Sequence, residues 1–323
     1  MDQLRIALLG LTLVSTGLAP ASAQNGEYPN RPVQLVVPFS PGASTDLVAR
    51  FLAPYLTEEL GKPVVVENRA GAGGLIGASV VAKSPADGHV LLVASSTVLQ
   101  SPLLQKSPAF SATKDFAPVG AVFQHPFAVI SSGKLIAKTL PEFIAYAKAN
   151  PGQVNTGSLG GFSDVISAMF IRAAGIDAHI IPYRGASEAM VGVIRGDAHL
   201  MFTVYGAAQS QIATGEVRLL GVTSLKRSPP LPNVPTLVEG GLKDFEILNV
   251  VGVLAPAGTP AATIARLNNA VAKAMKSQAA RDFVAGLGNE EIEDFSPGKY
   301  GALIAAADQK YRHVIEELGI PKQ

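Results

Sequence analysis

Short β-branched runs alternate with helix-period segments along nearly the whole chain, and few folds satisfy that alternation. Val33–Val37 reads as a strand. The segment 42–60 sets Leu47, Val48, Phe51, Leu52, Tyr55, Leu56 and Leu60 on one helical face, stopped by Gly61 and Pro63. Pro54 within it predicts a kink. Strands at 63–67 and 90–94 bracket a glycine-rich turn (71–77) and a helix through Ala82. Further strands are expected at 119–123, 127–131, 154–156, 179–182, 199–204 and 218–223. Helices are expected at 141–149, 164–174, 187–194, 260–277 and 297–318, the first of them capped by Thr139 with Pro141 in its opening turn. Repeated strand–helix units predict an α/β fold of parallel sheets with covering helices.

Two strand-to-helix junctions, 38–46 and 157–163, carry glycines and hydroxyls in the same arrangement, which suggests two similar lobes. With crossings near 123–126 and 245–250, the expected division is 24–124 for the first lobe and 125–246 for the second. Residues 247–323 then return to the first lobe with the C-terminal helix. A chain of 323 residues, 48% of them hydrophobic, holds enough apolar material for two cores.

Composition narrows the chemistry. Lys and Arg number 26 against 25 Asp and Glu, and no block of like charge occurs, which argues against nucleic acid. The absence of Cys removes disulfides, thiolate metal sites and Cys nucleophiles. His89, His125, His179, His199 and His313 stand singly, so neither a metal nor a cofactor is expected. There is no G-x-S-x-G elbow. The 71–77 run fails the dinucleotide spacing because Ile76 stands where the third glycine belongs, and it reads as a structural turn. At the N-terminus, Arg5, the apolar stretch 6–18 and Ala21-Ser22-Ala23 form a secretory signal pattern with cleavage after Ala23. That stretch is shorter than the roughly 20 residues of a membrane span.

The loop Pro38-Phe39-Ser40-Pro41-Gly42-Ala43-Ser44-Thr45-Asp46 joins a strand end to a helix start, where unpaired N–H groups and the helix dipole favour an anion. Gly42 lets backbone approach a ligand, and Ser44 and Thr45 offer hydroxyls. An ordinary turn, capped by Ser44 or Thr45 with Asp46 in the first helical turn, fits the same residues. Ser158, Gly160, Gly161, Phe162 and Ser163 repeat the arrangement, and Arg184 stands at another strand end. Two such helix starts could hold one carboxylate with N–H and O–H donors alone.

At these residues the chain closely resembles the Bug family of periplasmic solute receptors, the substrate-binding components of tripartite tricarboxylate transporters. The matching segments are Tyr28-Pro29-Asn30-Arg31-Pro32-Val33, Val36-Val37-Pro38-Phe39-Ser40-Pro41-Gly42-Ala43-Ser44-Thr45-Asp46 and Val66-Glu67-Asn68-Arg69-Ala70-Gly71-Ala72-Gly73-Gly74. Pro85-Ala86-Asp87-Gly88-His89, Pro182-Tyr183-Arg184-Gly185, Val234-Pro235-Thr236-Leu237-Val238-Glu239-Gly240-Gly241 and Ala255-Pro256-Ala257-Gly258-Thr259-Pro260 continue in family order.

The resemblance implies a two-lobed periplasmic binding protein type II (Venus flytrap) fold, a sheet with covering helices in each lobe, closing on a small carboxylate. It implies a ligand site built from Phe39, Ser40, Gly42, Ala43, Ser44, Thr45 and Asp46 on one side. Ser158, Gly160, Gly161, Phe162 and Ser163 form the other side, with Tyr183 and Thr203 nearby; Phe39 and Phe162 would wall the carbon skeleton. It further implies a monomer in the periplasm, with no catalysis, that serves membrane permease subunits or a sensor kinase. An exported enzyme using the same cleft is the rival, with Asp46, Asp164 and Glu188 as its available bases. Three departures from the family pattern stand out. Ala43 replaces a usual glycine, the second loop is a residue or two shorter across 162–166, and Thr203 stands where many relatives carry an acid. An acid there could pair with a ligand ammonium, so Thr203 predicts a ligand without a free amine.

Overall fold

The computed structural model describes residues 28–322, so the signal segment read at 1–23 lies outside the described residues. The first unit runs β1 (Val33–Val37), α1 (Ser44–Leu60), β2 (Val64–Asn68), α2 (Leu75–Ala82), β3 (Val90–Ser95). The short helix α3 (Ser96–Gln100) and the strand β4 (Phe116–Pro126) lead into β5 (Ala128–Ser132) and α4 (Leu140–Ala149). A second unit repeats the first as β6 (Val154–Ser158), α5 (Phe162–Ala174), β7 (Ala178–Pro182), α6 (Ala186–Arg195), β8 (Leu200–Thr203). The order closes with α7 (Tyr205–Thr214), β9 (Val217–Val222), β10 (Leu248–Pro256), α8 (Ala261–Met275), α9 (Gln278–Gly286), β11 (Glu290–Glu291) and α10 (Pro297–Glu317).

Two sheets result, ordered β11-β4-β10-β3-β1-β2 and β7-β6-β8-β5-β9. In each, the first strand of its unit lies between the other two and parallel to both: β1 between β2 and β3, β6 between β7 and β8. The remaining pairings are antiparallel, β10 beside β3 and β4, β5 beside β8 and β9. The sheets are therefore mixed, which corrects the expectation of parallel ones. The strands that carry the chain from one sheet to the other supply the reversed members.

Both faces of each sheet are covered. Leu35, Val37, Leu52, Leu56, Phe123, Leu267 and Val271 share one core, while Val36, Leu92, Val81, Leu254, Tyr300 and Ile304 share another across the first sheet. A strand buried on both sides reads as a nearly continuous apolar run, and β1, interrupted only by the half-buried Gln34, is one. Each such side chain, fully buried, contributes roughly 1.5–3 kcal/mol of hydrophobic stabilisation. The second sheet is covered by Phe143, Val165, Phe170 and Phe202 on one face and by Ala189, Val193 and Met201 on the other.

α1 starts at Ser44 rather than 42 because Gly42 adopts φ +87°, which a right-handed helix cannot contain. The helix continues through Pro54, which lies on its solvent face. Thr139 caps α4, its hydroxyl accepting from Glu142 N at 3.3 Å.

Two crossings link the sheets, and Thr223 ties them. Its buried hydroxyl accepts from Phe127 N (2.8 Å) and donates to Ile247 O (2.6 Å). Its own N–H donates to Phe127 O at 3.0 Å, and Ile247 N donates to Thr223 O at 2.9 Å. α10 belongs to neither lobe alone. Tyr300 and Ile304 enter a core of the first, and Tyr311 and Ile315 enter a core of the second.

Candidate functional site

The first loop is folded by Asp46, the third residue of α1, which is 1% exposed. Its Oδ2 accepts from Gly42 N (2.9 Å) and from Arg50 Nε (2.9 Å), and its Oδ1 accepts from Asn68 Nδ2 (2.8 Å). Burial alone would raise its pKa, but the Arg50 hydrogen bond, with those from Gly42 and Asn68, outweighs it and holds the carboxyl below its ordinary range. Ala43 N turns back to Ser40 O at 3.2 Å. Among the described residues no acceptor lies within reach of the Ser40, Ser44 or Thr45 N–H. The Thr45 hydroxyl is buried and also without a partner. These unspent donors gather at the N-terminus of a long helix, the physical requirement for holding an anion.

Space for a Cβ on Gly42 is empty to 4 Å, so glycine is needed there for its backbone conformation rather than for clearance. Gly42→Ala is expected to cost about 1–2 kcal/mol through left-handed strain. Urea unfolding checks it, and a loss of only a few tenths would show that the loop relaxes. The 71–77 run serves the same loop. A Cβ on Gly77 would lie 2.7 Å from Arg69 O and 2.9 Å from Pro38 Cα, so only glycine lets α2 approach the loop's base.

The second loop spends its donors similarly. Ser158 Oγ donates to Asp164 Oδ1 and accepts from Gly160 N at 3.2 Å, while Leu159 N donates to Ser163 Oγ at 3.2 Å. Gly161 N and Phe162 N have no acceptor among the described residues. Ser158, read as a hydroxyl donor toward ligand, thus gives its proton to Asp164. Phe162 also departs from its expected role. It is 3% exposed and packs edge-on against Tyr311, with centroids 4.6 Å apart, so it is core rather than ligand wall. The Tyr183 ring fills the slot left by the missing side chain of Gly192 on α6 and also lies beside Gly157 at the base of the loop, where Tyr183 N donates to Ser158 O at 2.8 Å. Thr203 ends β8, and the register of β6 against β8 sets it level with Leu159.

Both loops come close to α3 or its end. Phe39 is half-buried against the cluster holding Val98 and Leu99. Ser101 Oγ, just past α3, lies 3.8 Å from where a side chain on Gly161 would begin. Sequence reasoning gave no role to Asn68, Arg50 or Ser101. For Asn68 the available signal was a polar residue closing an apolar strand next to the loop.

Each candidate base is a third helical residue whose carboxylate folds its own loop. Asp46 takes Gly42 N, Asp164 takes the Ser158 hydroxyl, and Glu188 takes Arg184 N at 2.8 Å. Such carboxylates are engaged as acceptors and complement the helix dipole.

A partly buried relay joins α3 to the crossing strands β10 and β4. Val250 N donates to Ser96 Oγ (3.1 Å), Ser96 Oγ donates to Asn249 Oδ1 (3.0 Å), and Asn249 Nδ2 donates to His125 Nε2 (3.0 Å). His125 Nδ1 then donates to Pro126 O at 3.1 Å, which fixes a neutral ring. Burial pushes the His125 pKa down to about 4, against the smaller opposing effect of that carbonyl.

Comparison with known proteins agrees with this architecture. The family model described as the tripartite tricarboxylate transporter family receptor matches residues 48–320. Protein BugT of Bordetella pertussis (strain Tohama I) is 35% identical over 319 residues, 97% of each chain. The periplasmic binding protein BugD superposes with TM-score 0.80 at 33% identity, covering 92% of this chain and 100% of BugD. The R. palustris protein Rpa4515, solved with adipate, gives TM-score 0.82 at 30% identity, covering 91% of this chain and 99% of that one. With a matching model over most of its length, relatives matched end to end and a two-lobed fold in common, the chain belongs to the tripartite tricarboxylate transporter receptor family, the Bug-type periplasmic solute-binding proteins.

Proposed function

We propose that this receptor captures a small mono-, di- or aromatic carboxylate without a free amine and delivers it to the permease of a tripartite transporter. The observation that carries the reading is the pair of helix starts with unspent amides, Ser44 and Thr45 on α1 and Gly161 and Phe162 on α5. Charge-assisted hydrogen bonds contribute roughly 1.5–3 kcal/mol each, so four supply the roughly 8 kcal/mol of a micromolar dissociation constant. Asp46 and Asp164 are both occupied, and Thr203 is uncharged, so an ammonium would meet no free carboxylate at these positions. In this reading lobes 24–124 with 247–323, and 125–246, close on the ligand with α10 packed against both, and export follows cleavage after Ala23. The adipate bound by Rpa4515 is a ligand of the proposed kind.

A thermal-shift and calorimetric series of adipate, succinate and benzoate against aspartate and glutamate tests the proposal. Stabilisation by at least one amine-free acid, with none by the amino acids, is the expected pattern. Binding confined to aspartate or glutamate would overturn the assignment of ligand class.

A further inference from the structure

The side chain of Asn68 closes the first loop from outside. The residue ends β2, where its register partner is Val37 at the end of β1. Its Nδ2 donates to Phe39 O (3.0 Å) at the start of the loop and to Asp46 Oδ1 (2.8 Å) at its end, while its Oδ1 accepts from Arg50 Nη2 (3.2 Å). One planar amide thus joins both ends of the segment whose N–H groups at Ser40, Ser44 and Thr45 have no acceptor among the described residues. Arg50 bridges Asp46 and Asn68 and balances a carboxylate that would otherwise repel an anion placed on the same helix start.

We propose that Asn68, with Arg50 behind it, is a positioning residue that sets the affinity of the anion loop without touching the ligand. This rests on the reading of that loop as a carboxylate cradle. Fixing the loop before the ligand arrives removes an ordering cost from binding. Asp at position 68 keeps the shape of Asn but supplies no N–H, and it sets a second carboxylate against Asp46. A proton shared between them restores one donor, so the defect of this variant is reversible with pH.

The test compares wild type with Asn68→Leu and Asn68→Asp. Amide exchange in the ligand-free protein is expected to quicken at least tenfold at Gly42 in both variants, with core strands such as β1 unchanged. Adipate affinity, measured by calorimetry, is expected to fall about tenfold in both at pH 8. The Asn68→Asp protein alone should regain most of it by pH 5.5, a profile that general loss of stability does not produce. Gly42 exchange within twofold of wild type in both variants would overturn the proposal. So would adipate affinities within twofold of wild type, or an Asn68→Asp profile that stays flat. If the wild type binds none of the acids, the functional reading fails while the exchange result still decides whether Asn68 orders the loop.

Discussion

Acidification from pH 7 to pH 4.5 is expected to lower the unfolding free energy by about 2.5 kcal/mol through His125 alone. The ring is held neutral with its pKa down at about 4, whereas in the unfolded chain it returns to 6.5. Between those values the unfolded state binds the extra proton, so stability is complete above pH 6.5 and is lost as pH falls toward 4. One pKa unit corresponds to about 1.4 kcal/mol, which sets the size of the effect. His199, whose pKa is also lowered by burial, adds to the loss in the same direction. The carboxylates held low, Asp46, Asp87, Asp294 and Glu239, act below their ordinary values of 3.8 and 4.5 and so outside most of this window. Urea unfolding at pH 7, 6, 5 and 4.5 measures the slope, and His125→Gln should remove most of it. A wild-type profile flat across that range would refute the neutral, buried ring.

Thr223→Val is expected to cost about 3 kcal/mol, because it strands two buried backbone groups at once. Phe127 N loses its acceptor and Ile247 O loses its hydroxyl donor, and both lie where the chain changes sheet. Valine matches threonine in shape, so packing is kept and the loss isolates the hydroxyl. Thr223→Ser keeps the oxygen and should recover most of the stability. Thermal unfolding is expected to shift by roughly 5 °C or more for valine. A valine variant as stable as wild type would show that these two groups find other partners.

Much of the fold was readable because strand and helix signals were strong where burial is complete. β1 was legible to the residue, and α1, α4 and α10 lay within two residues of their expected limits. β10 was missed as a strand because the reading stopped at the crossing before it, although Val250–Ala255 is apolar around a single glycine. α7 was missed because only Ala208 of its residues is buried, which leaves no apolar stripe to find. At the site, the two glycine-bearing loops were visible as strand-to-helix junctions. The use of their donors was not, because Asp46 and Asn68 meet only through the pairing of β1 and β2, across more than twenty residues of sequence. Phe162 shows the converse. Its place beside a glycine pair suggested a ligand wall, and only the packing of a helix from the far end of the chain claims it for the core.

That same helix constrains how the molecule can open. Tyr300 and Tyr311 are eleven positions apart, about 16 Å along the axis, and each is sunk in a different half of the molecule. Lifting α10 from either half would pull one ring into water at a cost of order 1.5–3 kcal/mol, so the helix holds the two halves together. Any movement between the halves therefore has to keep one end of α10 seated in each.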